Sequence, residues 1–314
     1  MDSYTNGCIK GTKMLIDSYI NDKAIYDGYK EISKSYFFTN ENISCEYSYI
    51  NFDNVYKVLS VLSSGDHIFN LIDKDIYDID TFDINKLTEY YTLGFKRSLI
   101  LKYTYKEFKS IMDNIKNKKY SLVDIIDIFN SIYNYMDSNY KEYWKSIIDY
   151  SYKESINNNI EVDLFECITR IKNSEVTDKL VGNNYLKNED NYNKLRNNIS
   201  KCNISFKACD AVDLYSVFNG NHYDLIILSN ILDYLSDRWG YEWKYKKLKR
   251  YENELKGLLN KNGIILLHYF FNYYENNNRV IISSSVKSKD FKKEEIITFK
   301  NDYDGNSGIV LVKK

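Results

Sequence analysis

Residues 55–85 decide the fold, and they read VYKVLSVLSSGDHIFNLIDKDIYDIDTFDIN. The run 55–61 is apolar and rich in β-branched residues, which is typical of a strand buried on both faces. It ends at the small-residue turn Ser63-Ser64-Gly65-Asp66, after which apolar residues recur at helical spacing. Residues 76–82 predict a second strand that ends at Asp83. The order strand, tight loop, helix, strand predicts a βαβ unit.

Two features of this unit have the chemistry of a nucleoside site. A loop of small residues lets a ligand approach the backbone at the N-terminus of a helix. A carboxylate at the end of the second strand, here Asp83, can accept hydrogen bonds from both hydroxyls of a ribose. Together they predict a nucleoside-containing cofactor. Two alternatives stay open: an ordinary βαβ unit without a ligand, and Asp83 as the cap of the following helix.

The glycine content of the loop separates two classes of cofactor. NAD enzymes carry a G-x-G-x-x-G turn, whose glycines let the backbone approach a pyrophosphate. This loop has Gly65 alone, so it favours a cofactor without phosphates. S-adenosylmethionine (SAM) is the common cofactor of that kind.

Composition excludes several function classes. The 314 residues carry a net charge of -1 at a pI near 6.4, so no global charge favours nucleic acid or an anionic membrane. Five cysteines and three histidines are scattered without metal-ligand spacing, so neither a metal nor a disulfide scaffold is expected. The polar N-terminus predicts neither a signal peptide nor a spanning helix, which favours the cytoplasm.

The rest of the chain continues the alternation of helix and strand, with one interruption. Residues 11–36 predict a helix within an N-terminal extension (1–50), and 87–103 predict the crossover helix of the second βαβ unit. Residues 105–180 keep helical spacing without a strand, which predicts a helical insertion, either a substrate or a dimer subdomain. The cofactor-binding domain is then 51–104 with 181–314.

The C-terminal half predicts how the sheet ends. Buried strands are expected at 204–208, 223–228 and 264–269, and further strands at 279–284, 295–299 and 308–312 without helices between them. The predicted fold is therefore α/β and Rossmann-like, with a mainly parallel sheet that ends in an antiparallel hairpin. That ending is more typical of SAM-dependent transferases than of dehydrogenases.

Four segments in this order, SVLSSGD, TFDIN, ACDA and YDLIILSN, resemble the core of class I SAM-dependent methyltransferases. More narrowly, SSGDH, FDIN and SNILDY resemble betaine-lipid-type S-adenosylmethionine 3-amino-3-carboxypropyltransferases, which share that fold but transfer the aminocarboxypropyl arm of SAM. The resemblance covers about residues 50–100 and 185–270. The family loop has an acidic strand residue and two or three glycines, where this chain has Ser60 and one glycine.

The resemblance implies a set of cofactor-binding positions at the ends of the strands. These positions are Ser60, Ser63, Gly65, Asp66, Asp83, Asn85, Asp210, Ala211 and Ser229. By the same resemblance, the loop residues approach the methionine part of SAM and Asp83 holds the ribose, with Asn85 supporting its loop. Asp210 accepts from the adenine amino group, and Ala211 leaves room for the ring. Asp210 as a plain turn residue is the alternative.

The transfer site is expected after the fourth and fifth strands, where Ser229 and Asn230 border it. An acceptor hydroxyl or ammonium must lose a proton, and the candidates for accepting it are Asp233, Tyr234 and His268. Alternatively, Asp233 and Tyr234 belong to a solvated helical turn, and His268 is a residue of the pocket wall.

The sequence therefore predicts a SAM-dependent transferase that moves a methyl or 3-amino-3-carboxypropyl group to a small-molecule or lipid-headgroup acceptor. The alternatives are a non-catalytic SAM- or nucleoside-binding protein and, less favoured by the loop, an NAD-linked oxidoreductase.

Overall fold

A seven-stranded sheet is the centre of the fold in the computed structural model. The structure describes residues 2–22, 31–39, 41–170, 182–231, 235, 244–270, 273–275, 278–280, 296–301 and 305–314. The strands are β1 Lys57–Val61, β2 Asp78–Asp83, β3 Asn203–Ala208, β4 Tyr223–Ser229, β5 Leu259–Phe270, β6 Tyr273–Glu275, β7 Asn278–Val280, β8 Ile296–Asn301 and β9 Gly305–Lys313. The order in the sheet is β3-β2-β1-β4-β5-β9-β8, and β6 pairs with β7 separately.

One strand of the sheet is reversed: β9, which lies between β5 and β8. β1 pairs in parallel with β2 and with β4, and β4 pairs in parallel with β5. β3 runs the same way as β2, since Asn203 bonds to Asp78 and Ser205 bonds to Asp80. β9 is antiparallel to both β5 and β8. The predicted fold is confirmed: it is α/β and Rossmann-like, with a mainly parallel sheet that ends in an antiparallel hairpin. Of the predicted strand 279–284, the structure describes only the first two residues, within β7.

The chain divides into two compact units. The first, the helical unit, contains Met1–Asn40, Leu62–Asp73 and Asp83–Lys201. The second, the sheet unit, contains Glu41–Val61, Lys74–Phe82 and Cys202–Lys314. The predicted domain bounds at residues 50, 104 and 180 stay a prediction.

The sheet unit has an apolar core because its central strands are apolar at nearly every position. Leu59 of β1, Ile226 of β4 and Ile265 of β5 are each at most 1 % exposed. Burial of such a side chain contributes about 1.5–3 kcal/mol relative to leaving it exposed. The near-continuous apolar runs that predicted these strands are therefore the core of this unit.

Helices make up most of the helical unit. The α-helices are α1 Ser3–Ile20, α2 Ile43–Tyr47, α3 Asp66–Asp73, α4 Arg97–Lys102, α5 Tyr105–Lys116, α6 Leu122–Ile132, α7 Ser138–Asn158, α8 Leu164–Ile168, α9 Glu189–Asn198, α10 Leu214–Phe218 and α11 Lys244–Gly257. The sheet unit contributes α2, α10 and α11 among the residues that the structure describes. The N-terminal helix begins well before residue 11, because Asp2 caps it by accepting the amide of Thr5 at 2.6 Å. Among the described helices, none has the length and apolar character needed to cross a bilayer.

The predicted crossover helix at 87–103 contains an irregularity that changes which side chains point inward. Glu89–Lys96 is a π-helix, called here the π segment, and α4 continues directly from it. π-helical turns are rare in proteins, and many of those that occur lie at functional sites. Because the π-helix is wider than an α-helix, it alters which residues share a face over these two turns. Thr92 and Lys96 are both fully buried and both bond to the loop that follows β1.

Candidate functional site

The loop after β1, residues 62–65, is a tight turn of unusual backbone conformation. The Gly65 amide donates to the Leu62 carbonyl at 2.7 Å. Gly65 has φ +82° and Ser63 has φ +45°. Left-handed conformations cost a non-glycine residue about 1–3 kcal/mol and are concentrated at functional sites. The strained Ser63 therefore marks this loop as a candidate binding element.

The glycine of this loop is required by the packing of the protein itself. A Cβ at Gly65 would lie 2.3 Å from Cγ2 of Thr92 and 3.0 Å from the ring of Phe69. The Thr92 hydroxyl also donates to the Ser63 carbonyl at 3.0 Å. That side of the loop is thus filled by the π segment and α3. Contact of Gly65 with a cofactor stays a prediction.

Asp66, the first residue of α3, is a buried hub of hydrogen bonds. Its Oδ1 accepts from Nζ of Lys96 and from the hydroxyl of Tyr185, each at 2.7 Å. Its Oδ2 accepts from the amide of Thr39 at 2.6 Å and from the hydroxyl of Ser64 at 2.8 Å. A carboxylate has about four acceptor positions, and all four are used here. In this arrangement Asp66 fixes the loop; its predicted contact with SAM stays a prediction.

Lys96 supplies the charge that Asp66 requires. Both side chains are 0 % exposed, and the ammonium also donates to the Ser64 carbonyl at 3.0 Å. Burial lowers the pKa of Lys96, while the neighbouring Asp66 opposes that shift. The ammonium lies 4.1 Å from the centre of the Phe38 ring, whose face adds a favourable cation–π contact. The pair therefore connects the π segment to the loop by buried, charge-assisted bonds.

Asp83 ends β2 and is held in place by two backbone amides. Its Oδ2 accepts from Ser63 N at 3.0 Å, and its Oδ1 accepts from Asn85 N at 2.9 Å. Burial raises the pKa of Asp83 to about 6, while these amides and the charge of Arg170 oppose the increase. Each oxygen keeps a second lone pair. The carboxylate can therefore accept two further hydrogen bonds from a ligand while its position stays fixed.

Asn85 supports the loop after β2. Its Oδ1 accepts the amides of Ser33 and Leu87, both at 3.1 Å, and its Nδ2 donates to the Ser33 carbonyl at 2.9 Å. The side chain is buried, so these bonds compensate for its loss of water. The amide connects residues 31–39 to the segment that carries Asp83, and its direct role in binding stays a prediction.

In the sheet unit, the predicted adenine-side residues follow β3. Asp210 caps the 3₁₀ turn Ala211–Asp213 by accepting the amide of Val212 at 3.2 Å. Asp210 is therefore a turn residue, which was the alternative considered in the sequence analysis, and it is half-buried. Ala211 is 7 % exposed, and Ser60 is fully buried on β1. Binding of adenine at these positions stays a prediction.

The residues predicted to border the transfer site lie where β4 and β5 end. Ser229 closes β4 with φ +53° and pairs with Leu267, so His268 is the next residue along the neighbouring strand. Asn230 follows Ser229 and is half-buried. Asp233 and Tyr234 lie outside the described residues. The structure thus brings Ser229 and His268 to the same edge of the sheet, while their participation in transfer stays a prediction.

Two glutamates that the sequence did not suggest lie at the same edge. Glu46 of α2 has its Oε1 2.7 Å from Nδ1 of His268, and both side chains are 0 % exposed. The hydroxyl of Ser229 donates to Oε1 of Glu41. Residues 41–54 read as an irregular segment before β1, and no local pattern indicated that its two glutamates meet a histidine far along the chain. The stretch is mixed in composition and also contains Asp53, so the two glutamates were not distinguished from ordinary polar positions.

Comparison with known proteins identifies no family. No protein-family model and no curated protein matches the chain. Two solved structures of the rRNA methyltransferase aviRa from Streptomyces viridochromogenes are similar at 10 % identity. One has a TM-score of 0.37 and covers 95 % of this chain and 92 % of its own. The other has a TM-score of 0.35 and covers 87 % and 82 %. At TM-scores below 0.5, these likenesses carry no argument about what this chain does.

Proposed function

We propose that this protein is a SAM-dependent transferase that moves a methyl or 3-amino-3-carboxypropyl group to a small-molecule or lipid-headgroup acceptor. The observation that carries this proposal is the Asp83 carboxylate. Backbone amides hold it at the end of β2, and it keeps acceptor capacity for two hydroxyls. A ribose presents two adjacent hydroxyls to such a group. A hydrogen bond to a charged acceptor contributes on the order of 1.5–3 kcal/mol.

The loop after β1 supports a cofactor without phosphates. A pyrophosphate needs glycines that let the backbone approach it closely. Residues 62–65 contain one glycine, and the space beside its Cα is filled by Thr92 and Phe69. This favours SAM over NAD as the cofactor. It argues against the oxidoreductase alternative.

The chemistry needs positioning more than acid–base groups. The acceptor attacks a carbon bound to the sulfonium sulfur in line with the C–S bond. A bond from the acceptor to carbon forms, the C–S bond breaks, and its electron pair stays on sulfur. Transfer of methyl leaves S-adenosylhomocysteine, and transfer of aminocarboxypropyl leaves methylthioadenosine. Holding the reactants in this alignment and excluding water supply most of the acceleration.

Replacing Asp83 with alanine is expected to weaken SAM binding by tenfold or more, because both hydroxyl acceptors are lost. Isothermal titration calorimetry at pH 7.5 measures the change. Asp127→Ala removes an exposed carboxylate from α6 and is the matched control, expected to bind as the wild type does. Equal SAM affinity for wild type and Asp83→Ala would contradict the assignment.

SAM affinity is also expected to fall with acidification. With a pKa of about 6, the ionised fraction of Asp83 is about nine-tenths at pH 7 and about one-tenth at pH 5. A protonated carboxyl loses acceptor capacity, so the dissociation constant should rise about tenfold between these two pH values. Asp83→Asn should show no such rise, since its side chain does not titrate. A wild-type profile as flat as that of the variant would remove Asp83 from the binding step.

Product analysis tests the proposal as a whole. The protein is incubated with SAM and candidate acceptors, and the nucleoside products are separated by chromatography. S-adenosylhomocysteine reports methyl transfer, and methylthioadenosine reports aminocarboxypropyl transfer. SAM binding without either product would favour the non-catalytic alternative. Thermal stabilisation by NAD and not by SAM would favour the oxidoreductase.

A further inference from the structure

Three buried side chains converge in the sheet unit: Glu41, Glu46 and His268. They are 3 %, 0 % and 1 % exposed. One potential ligand atom from each lies within 4.8 Å of the other two. The nearest approach is 2.7 Å, between Oε1 of Glu46 and Nδ1 of His268. Carboxylates and an imidazole this close together are the donor types that bind divalent metal ions.

A second observation points to a ligand. Oε2 of Glu46 is fully buried and accepts no hydrogen bond from the part of the chain that the structure describes. A buried carboxylate oxygen normally has a donor, and an exception calls for an ion or another bound group. Coordination of a cation would satisfy this oxygen.

We propose that Glu41, Glu46 and His268 bind a divalent first-row transition metal ion such as Mn²⁺ or Zn²⁺. Metal–oxygen and metal–nitrogen bonds of about 2.0–2.2 Å place tetrahedral ligand atoms about 3.3–3.6 Å apart, so Glu46 and His268, now 2.7 Å apart, would have to separate slightly around the metal. The Ser229 hydroxyl donates to Glu41 and orients that carboxylate, as outer hydrogen bonds do at metal sites. Three protein ligands leave coordination positions open.

The open positions suggest what the metal does, and this step rests on the proposed function. His268 and Ser229 lie where β5 and β4 end, at the edge where a transfer site is predicted. An acceptor oxygen bound to a divalent cation releases its proton more easily. The metal would then help the acceptor to lose its proton. Of the three residues predicted to accept that proton, His268 is the one that the structure describes.

Metal titration tests the site without SAM. The full chain is stripped with EDTA, dialysed, and titrated with MnCl₂ or ZnCl₂ by calorimetry at pH 7. One equivalent is expected to bind, and Glu46→Gln or His268→Asn should weaken that event by about a hundredfold. Glu254→Gln and His222→Asn are the matched controls, since Glu254 pairs with Arg250 on α11 and His222 is exposed. Both should bind as the wild type does.

Ser229→Ala keeps all three ligands and provides a milder variant. Loss of the orienting hydroxyl should weaken metal binding by about tenfold. Thermal melts of the metal-free proteins show whether each variant folds. If a ligand variant does not fold, the metal affinity of Ser229→Ala tests the proposal in its place. Absence of stoichiometric binding by the wild type, or equal binding by the wild type and Ser229→Ala, would overturn the proposal. Because SAM is absent, failure of the proposed transferase activity would leave this result unaffected.

Discussion

Asp66→Ala is expected to lower the free energy of unfolding by about 3–5 kcal/mol, the typical cost of removing one partner from a buried ion pair. The Lys96 ammonium would stay fully buried without its counter-charge. The hydroxyl of Tyr185, the hydroxyl of Ser64 and the amide of Thr39 would each lose an acceptor as well. Urea denaturation followed by circular dichroism measures the change, provided that both proteins unfold in a single transition.

A double variant separates the ion pair from the other bonds of the hub. In Asp66→Ala/Lys96→Met, the uncompensated charge is gone, and an apolar chain of similar volume fills the space. Such replacements of buried pairs are often neutral or stabilising, so the double variant should recover a large part of the loss. The pair of the exposed Arg250 and the half-buried Glu254 is the comparison, and Glu254→Ala should change stability by less than about 1 kcal/mol. If Asp66→Ala also lowered the free energy of unfolding by less than about 1 kcal/mol, Asp66 would not be the buried centre of hydrogen bonds described above.

The sheet could be predicted from sequence because its signal is local. Each central strand is a short apolar run between turn residues, and the rules of strand connection restrict how parallel strands can be ordered. The antiparallel end followed from strands at the C-terminus without helices between them. Propensity and burial agree along β1 and β4, so no long-range information was needed for them.

The π segment could not be predicted in this way. Residues 87–103 have ordinary amphipathic spacing, and that pattern does not distinguish an α-helix from one with a π-helical stretch. As a result, the hydrogen bonds from Thr92 and Lys96 to the loop after β1 were not predicted. The sequence therefore indicated Gly65 and Asp66 as ligand-facing residues, whereas the structure shows the contacts they make within the protein.

The cluster of Glu41, Glu46 and His268 was missed for a related reason. Metal-site motifs are recognised by short, regular spacing of ligands, and these three residues come from two segments far apart in the chain. Only the pairing of β4 with β5 and the position of α2 bring them together. By contrast, Asp83 could be singled out because its place at the end of a strand follows from the local pattern alone.

Gly65→Ala is expected to destabilise the protein by about 2–5 kcal/mol, from two separate causes. The first is backbone strain, since φ +82° costs an L-residue about 1–2 kcal/mol. The second is overlap, since the new Cβ would lie 2.3 Å from Cγ2 of Thr92, and overpacking of a filled region costs about 1–3 kcal/mol. Chemical denaturation of the variant and the wild type measures the sum.

Another glycine of this chain separates the two causes. Gly220 has φ +90°, and a Cβ there would meet nothing within 4 Å, so Gly220→Ala should show the strain alone, about 1–2 kcal/mol. Thr92→Ser removes the clashing methyl and keeps the hydroxyl that donates to Ser63. In the Thr92→Ser background, Gly65→Ala should therefore lower the free energy of unfolding by a smaller amount. The close contact of the new Cβ with the Phe69 ring would remain. If Gly65→Ala costs no more than Gly220→Ala, the π segment does not pack against this loop as described, and the space beside Gly65 is open for a ligand after all.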